Sequence, residues 1–180
     1  MISNGKFYES QFEEATIELL REAHWQYAFG DDIHRKYTDP LIEEDLRNFL
    51  AVQYKDKNLT TSEMDSIVAN LRNTGGQNDY YALRNTFLLY RDGYDFAYSD
   101  GRSNPFRLEY IDFEHPDHNI FRCVNQFVME QGRENRRPDI LLFINGIPVC
   151  IIELKNPTKQ NATIHDAHTQ ICTRYMRDIP

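Results

Sequence analysis

Asp139, Glu153 and Lys155 are the residues of this 180-residue chain best placed to do chemistry together. Asp139 follows Pro138 at the head of the apolar run Ile140 to Ile144, and Glu153 closes a second run from Pro148 to Ile152. An ionised carboxylate beside a buried strand is costly unless it is paired or holds a metal. Asn145-Gly146 between the runs is a strong hairpin signal. A two-residue loop would set Asp139 opposite Ile152 and turn the two acids to opposite faces. A three-residue connection, Asn145 to Ile147, would set Asp139 opposite Glu153, with Lys155 on the same face. The pattern therefore predicts an odd-length or bulged connection. Both runs are almost wholly apolar, which predicts central strands covered on both faces.

Two oxygen-donor acids beside an ammonium suit Mg²⁺, a hard cation that takes carboxylates, carbonyls and waters. Such a site would hydrolyse a phosphodiester, the metal lowering the pKa of a water and neutralising phosphate charge. Lys155 would orient the water or stabilise the developing negative charge. Arg133, Arg136 and Arg137 lie just upstream, where they would hold flanking phosphates. On the residues alone, a surface ion-pair set at two strand ends is an equal reading of the three site residues. A solvated turn with Glu134 is nearly equal for the arginines.

The elements that must carry these residues divide the chain. The first part, 1–93, is mainly helical. Apolar spacing predicts a helix over Ser10 to His24, and a second from Asp39-Pro40 through Leu50 with Pro40 in its first turn. A third follows the capping box Thr60/Glu63 and is ended by Gly75-Gly76. A fourth covers Asp79 to Tyr90. From Tyr94 the chain turns to strands: Tyr94–Tyr98, Phe106–Phe113, Ile120–Met129, Pro138–Ile144 and Pro148–Leu154. A last helix is expected over Ala162 to Met176. The order predicts one α/β domain over 1–180, a mixed sheet flanked by helices with a helical N-terminal part.

Composition bounds the function. Hydrophobic residues make up 41% and aromatics 13%, enough for a core and too much for a disordered chain. No apolar run is long enough for a membrane span, and no leader opens the chain. Cys123, Cys150 and Cys172 lack any framework spacing; Cys123 and Cys150 fall in apolar strands as small buried hydrophobes, and a reducing cytoplasm is expected. No nucleophile-elbow or Cys/His context supports covalent catalysis. The net charge of −8 argues against nucleic acid until its distribution is seen. Residues 122–180 hold eight Lys+Arg and six Asp+Glu, whereas the first 121 hold twelve against twenty-two. The acidity belongs to the helical part; the segment with the proposed site is mildly basic.

His115 with His118, and His165 with His168, are i, i+3 pairs without a third ligand at a recognisable zinc spacing, so they are read as solvated residues. Trp25, Tyr27 and Phe29 are read as core ahead of base-stacking residues. Glu13, Glu14 and Glu18 on the first helix are read as a solvated face, with a further site acid as the alternative; nothing in the sequence chooses among the three.

Pro138-Asp139 followed by Glu153-Leu154-Lys155 resembles the PD-(D/E)xK nuclease signature, which by itself is weakly specific. The wider text is more specific. Trp25-Gln26-Tyr27, Val124-Asn125-Gln126-Phe127, Arg136-Arg137-Pro138-Asp139, Phe143-Ile144-Asn145-Gly146-Ile147-Pro148, Ile152-Glu153-Leu154-Lys155-Asn156-Pro157 and Arg174-Tyr175 with Asp178-Ile179-Pro180 resemble the N-terminal region of the restriction (R) subunit of type I restriction enzymes. The resemblance implies a restriction-endonuclease-like core and a Mg²⁺-dependent endonuclease acting on double-stranded DNA, with Mn²⁺ as a substitute. It implies Asp139, Glu153 and the Leu154 carbonyl as metal ligands and Lys155 as catalytic lysine. It further implies modification and specificity subunits as partners, and an ATP-driven motor beyond Pro180, since no GxxxxGK[ST] loop occurs here. Relatives often carry Gln-x3-Tyr on the following helix. Gln170 and Tyr175 form Gln-x4-Tyr, about 500° of α-helical rotation, so they share a face less well. Alternatives are a free-standing repair or junction nuclease with the same core, and a non-catalytic docking domain.

Overall fold

The computed structural model describes residues 9–75, 78–131, 134–155 and 164–175. Its helices are α1 (Glu9–Glu22), α2 (Glu43–Gln53), α3 (Thr61–Arg72), α4 (Asp79–Asp92) and α5 (Ile164–Thr169), the last continuing as a π-helical stretch over Gln170–Tyr175. The strands are β1 (Gln26–Phe29), β2 (Tyr94–Phe96), β3 (Phe106–Leu108), β4 (Phe121–Asn125), β5 (Met129–Gln131), β6 (Glu134–Arg136), β7 (Ile140–Ile144) and β8 (Ile147–Ile152). They form two compact units: Met1–Pro40 with Phe121–Phe143 and Ile147–Pro180, and Leu41–Ile120 with Ile144–Gly146. Among the described residues no helix is long and apolar enough to cross a membrane.

The first unit is built on a mixed sheet of order β1-β4-β7-β8. β1 runs parallel to β4, pairing Gln26 with Arg122 and Phe29 with Asn125, whereas β7 and β8 are joined by a tight turn. Its core is Cys123, Val124, Phe127, Ile140, Leu141, Phe143 and Ile147. β7 is interior and buried, as its apolar run predicts. β8 departs from expectation: it lies at the edge of the described sheet, with Val149 and Cys150 exposed. Cys123 is buried as expected, but Cys150 is not, because the edge strand has a neighbour on one side only. β1 is a strand within the part read as helical. It too is an edge, so Trp25 is half-buried against Phe121 and Tyr27 is exposed, not packed in the core.

The second unit packs Leu46, Phe49 and Leu50 of α2 and Ile67, Val68 and Leu71 of α3 with Leu108 and Tyr110. α2 begins at Glu43, three residues beyond Pro40, with Ile42 as its N-cap. The Ile42 N–H goes to the Gly146 carbonyl at 2.9 Å, outside the helix. α3 starts where the capping box predicts, and both of its reciprocal bonds form. It ends at Arg72, with Asn73 as its C-cap, ahead of the glycines expected to stop it. The short ladder of β2 and β3 pairs Tyr94 with Leu108, so the strands expected up to Tyr98 and Phe113 stop sooner.

The capping carboxylate also anchors a distant loop. Arg102 forms a fork to Glu63, 2.7 Å from each oxygen, and Arg102 also lies over the Tyr98 ring. Hydrogen bonding from Arg102, then from the Thr60 backbone, lowers the Glu63 pKa from 4.5 to about 2. A carboxylate depressed on folding contributes stability that is full above 4.5 and is lost as pH falls towards 2. Denaturation midpoints measured between pH 6 and pH 2.5 should decline over this window, and Glu63→Gln should flatten that limb. An unchanged limb in the variant would assign the acid sensitivity to other carboxylates.

Candidate active site

Asn145 and Gly146 form the connection between β7 and β8, both with left-handed backbone, at φ 51° and φ 75°. Two successive left-handed residues make a two-residue turn whose twist suits the strands. The odd-length connection expected from the sequence is therefore not formed. The turn is locked by its own side chain: Asn145 Nδ2 donates to the Tyr110 carbonyl at 2.9 Å, and Asn145 Oδ1 accepts from Ile120 N at 2.7 Å. A Cβ on Gly146 would lie 2.1 Å from the Ile42 carbonyl oxygen, so a larger residue has no room.

The acids are nevertheless tied to one another, because both lie just outside the ladder. β7 begins at Ile140 and β8 ends at Ile152, so the pleat does not dictate the facing of Asp139 or of Glu153 to Lys155. Asp139 Oδ2 accepts from the Leu154 N–H at 2.7 Å. This bond fastens the first acid to the backbone between Glu153 and Lys155. Glu153 Oε2 accepts from Gln170 Nε2 at 2.8 Å and lies 3.5 Å from Lys155 Nζ. The Glu153 side chain is 1% exposed and that of Lys155 23%, so the pair is far less screened than a surface ion pair. Removing a carboxylate from water to this degree requires the hydrogen bonds and charge it receives here.

Gln170 thus reaches Glu153 from the helical segment that follows α5. The five-residue spacing to Tyr175, out of phase on an α-helix, matches the i→i+5 repeat of the π-helix that the backbone adopts from Gln170 to Tyr175. Backbone positions 170 and 175 are then closer to one turn apart than they would be on an α-helix. Arg133 and the side chain of Tyr175 lie outside the described residues. Arg136 pairs with Glu134 at 2.8 Å and also donates to the Asn135 carbonyl; Arg137 is exposed.

One acid of the first helix is bound at the neighbouring strand end. Asn125 Nδ2 and Gln126 Nε2, at the end of β4, both donate to Glu13 Oε1 at 2.9 and 3.1 Å. The Gln126 N–H in turn donates to the Asp139 carbonyl at 3.2 Å. Of the three α1 acids, Glu13 is half-buried and bound to the strand end next to Asp139, whereas Glu14 and Glu18 are exposed. Gln126 holds φ 56°, an unusual conformation for a non-glycine residue. In the sequence Asn125 and Gln126 stand out only within the resembling string Val124-Asn125-Gln126-Phe127; their bonds to Glu13 form because α1 lies against the end of β4.

The donors gathered here are carboxylates, backbone groups, an amide and an ammonium. Oxygen donors of this kind fit a hard divalent cation and would not select a soft one.

Comparison with known proteins gives a consistent picture. Residues 6–180 match the family model described as the type I restriction enzyme R protein N terminus. The chain is similar to the type I restriction enzyme HindI endonuclease subunit of Haemophilus influenzae, 31% identical over 176 residues, covering 92% of this chain and 16% of that protein. It is equally similar to the putative type I restriction enzyme MjaIXP endonuclease subunit of Methanocaldococcus jannaschii, at 31% identity over 93% of this chain and 17% of the relative. A second M. jannaschii protein, the putative MjaVIIIP endonuclease subunit, is 39% identical over 74 residues, or 41% of this chain and 7% of its own length. The chain therefore spans about a sixth of the length of the first two relatives.

Proposed function

Because the chain belongs to the family of type I restriction enzyme R protein N termini, we propose that it is the Mg²⁺-dependent nuclease part of a type I restriction complex, hydrolysing phosphodiesters of double-stranded DNA. The observation that carries the reading is the bond from Leu154 N–H to Asp139 Oδ2, which gathers Asp139, Glu153 and Lys155 at one end of the hairpin. Asp139, Glu153 and the Leu154 carbonyl would hold Mg²⁺, with Mn²⁺ able to replace it. When bound, the ion would supply positive charge against the scissile phosphate and acidify a water.

The chain's own residues do the rest. Gln170 orients the Glu153 carboxylate through its 2.8 Å bond, and Lys155 brings a cation to the same carboxylate. That cation is positioned to stabilise negative charge as it develops on the phosphate oxygens. Glu13 and the Asn125–Gln126 amides hold the strand end that carries Asp139. Arg136 and Arg137, with Arg133, would contact flanking phosphates, and Tyr175 would act beside Gln170. The small basic excess of residues 122–180 leaves most phosphate affinity to other parts of the assembly. Those parts are modification and specificity subunits and an ATP-consuming motor outside this segment, working in the cytoplasm. DNA sequence would be read by the specificity subunit.

The test is metal removal from the assembled complex. EDTA should abolish cleavage and excess Mg²⁺ or Mn²⁺ should restore it; cleavage that persists in EDTA would refute the assignment. A second measurement separates the α1 acids. Glu13→Gln should lower the cleavage rate by roughly 10–100-fold, the effect typical of a group that orients metal ligands. Glu14→Gln and Glu18→Gln should cleave normally.

A further inference from the structure

Outside the nuclease unit, the residues Asp112, His115 and His118 gather one carboxylate and two imidazoles. Their spacing is Asp-x2-His-x2-His. Sequence spacing alone leaves the two histidines without a third ligand; the third, Asp112, lies upstream in the segment that follows β3. Both imidazole Nδ1 atoms face the same carboxylate. His118 Nδ1 is 3.0 Å from Asp112 Oδ2, and His115 Nδ1 is 3.7 Å from Asp112 Oδ1. The two rings are nearly parallel, with centroids 4.9 Å apart. The carboxylate is almost wholly buried at 6%, whereas the histidine side chains are 60% and 50% exposed.

We propose that Asp112, His115 and His118 form a binding site for a divalent transition-metal ion, with Zn²⁺ the best match. Ligand atoms about 2.0–2.1 Å from a tetrahedral zinc stand about 3.3 Å from one another. His118 Nδ1 is 3.0 Å from one carboxylate oxygen, His115 Nδ1 is 3.7 Å from the other, and one ligand atom from each residue lies within 4.8 Å of the other two, so small side-chain rotations bring the three to that edge. One carboxylate oxygen and two imidazole nitrogens are a borderline-soft donor set that Mg²⁺ disfavours. Three protein ligands at an exposed rim leave the fourth position to water.

The ligands are already held in place. Gln53 Nε2, from the end of α2, donates to Asp112 Oδ2 at 3.0 Å. The N–H groups of Glu114 and His115 donate to Asp112 Oδ1 at 3.1 and 2.8 Å. Asn119 closes the loop by accepting from Asp112 N at 2.9 Å and donating to the Asp112 carbonyl at 2.7 Å. Outer-shell bonds of this kind fix a ligand's orientation before the ion arrives. The ion would cross-link the 112–118 loop, whose carboxylate Gln53 already ties to α2, a structural role separate from the hydrolytic site.

The experiment uses the purified protein carrying Asp139→Asn and Glu153→Gln, so that the proposed catalytic site does not compete. Equilibrium dialysis against micromolar Zn²⁺ should show one bound equivalent, and Zn²⁺ should raise the thermal midpoint by several degrees. Co²⁺ in its place should give the intense visible bands of low-symmetry tetrahedral coordination. Adding His115→Ala with His118→Ala, both exposed and so tolerated by the fold, should remove the equivalent, the Tm shift and the bands. Gln53→Ala should weaken binding by roughly 10–100-fold. A zinc equivalent that survives loss of both histidines would overturn the site, since it would belong elsewhere, as at Cys172 and His168, 3.4 Å apart. Absence of binding at 100 μM Zn²⁺, taken here as about the ceiling for a specific site, would overturn it equally.

Discussion

Lys155→Ala is expected to abolish DNA cleavage by the assembled complex, with a fall in rate of at least about 10³-fold, while ATP hydrolysis continues. Removing a preorganised positive group that meets developing charge typically costs about 10²–10³-fold, and the site's partial burial places Lys155 towards the upper end. Glu153 remains oriented by Gln170 in that variant, so metal binding should persist. Asp139→Ala should lose cleavage by a different route. It removes a proposed ligand and also the acceptor of the Leu154 N–H, so the strand end bearing Glu153 loses its tie. Asp139→Asn separates the two effects, because an amide oxygen still accepts from Leu154 while the negative charge is gone. Cleavage assays with metal titrations on the three variants would distinguish these outcomes. Normal cleavage by Lys155→Ala or Asp139→Asn would sink the site assignment; loss of ATP hydrolysis would point to misassembly.

Gly93→Ala is expected to be strongly destabilising, lowering stability by about 3 kcal/mol or more. Gly93 caps α4 with φ 63° and ψ −152°, a region that is essentially closed to side-chain-bearing residues. A Cβ there would also stand 1.9 Å from the Leu108 carbonyl oxygen, which is backbone and held in the β2–β3 ladder. Neither the strain nor the clash can be relieved by a rotamer change. Urea denaturation should show a lower midpoint at unchanged slope, since the folded surface is the same. Gly101→Ala is the control: φ is also positive, 66°, but no atom lies within 4 Å of its Cβ, so it should cost less. Equal losses at the two positions would show that the close approach to Leu108 is unimportant.

The helices and the residue types of the proposed site are legible in the sequence because their signals are local. Thr60 and Glu63 bond across one turn of chain, and the α1 apolar spacing needs only its own periodicity. The short strand Gln26–Phe29 was not legible, since four residues pair only because β4 lies alongside. Cys150 was read as buried from its apolar neighbours, yet exposure depends on whether another strand covers β8. The turn departs from expectation for a related reason: alternation does not extend past the ladder to Asp139 and Glu153, which lie outside β7 and β8.

What the sequence determined alone was the inventory: Asp139, Glu153 and Lys155 at the ends of two apolar runs about a hairpin signal, within text resembling one nuclease family. Its charge told little as a total of −8 and more as a distribution, since the segment with the acids is mildly basic. Only the tertiary structure decided which other residues join them. It ties Glu13, of the three α1 acids, to Asn125 and Gln126, and brings Gln170 to Glu153. It also supplied Asp112 to two histidines that sequence spacing had left incomplete. Covalent order sets which residues are near along the chain, whereas side-chain contacts between α1 and β4, or between Gln53 and Asp112, arise only from packing that buries apolar surface.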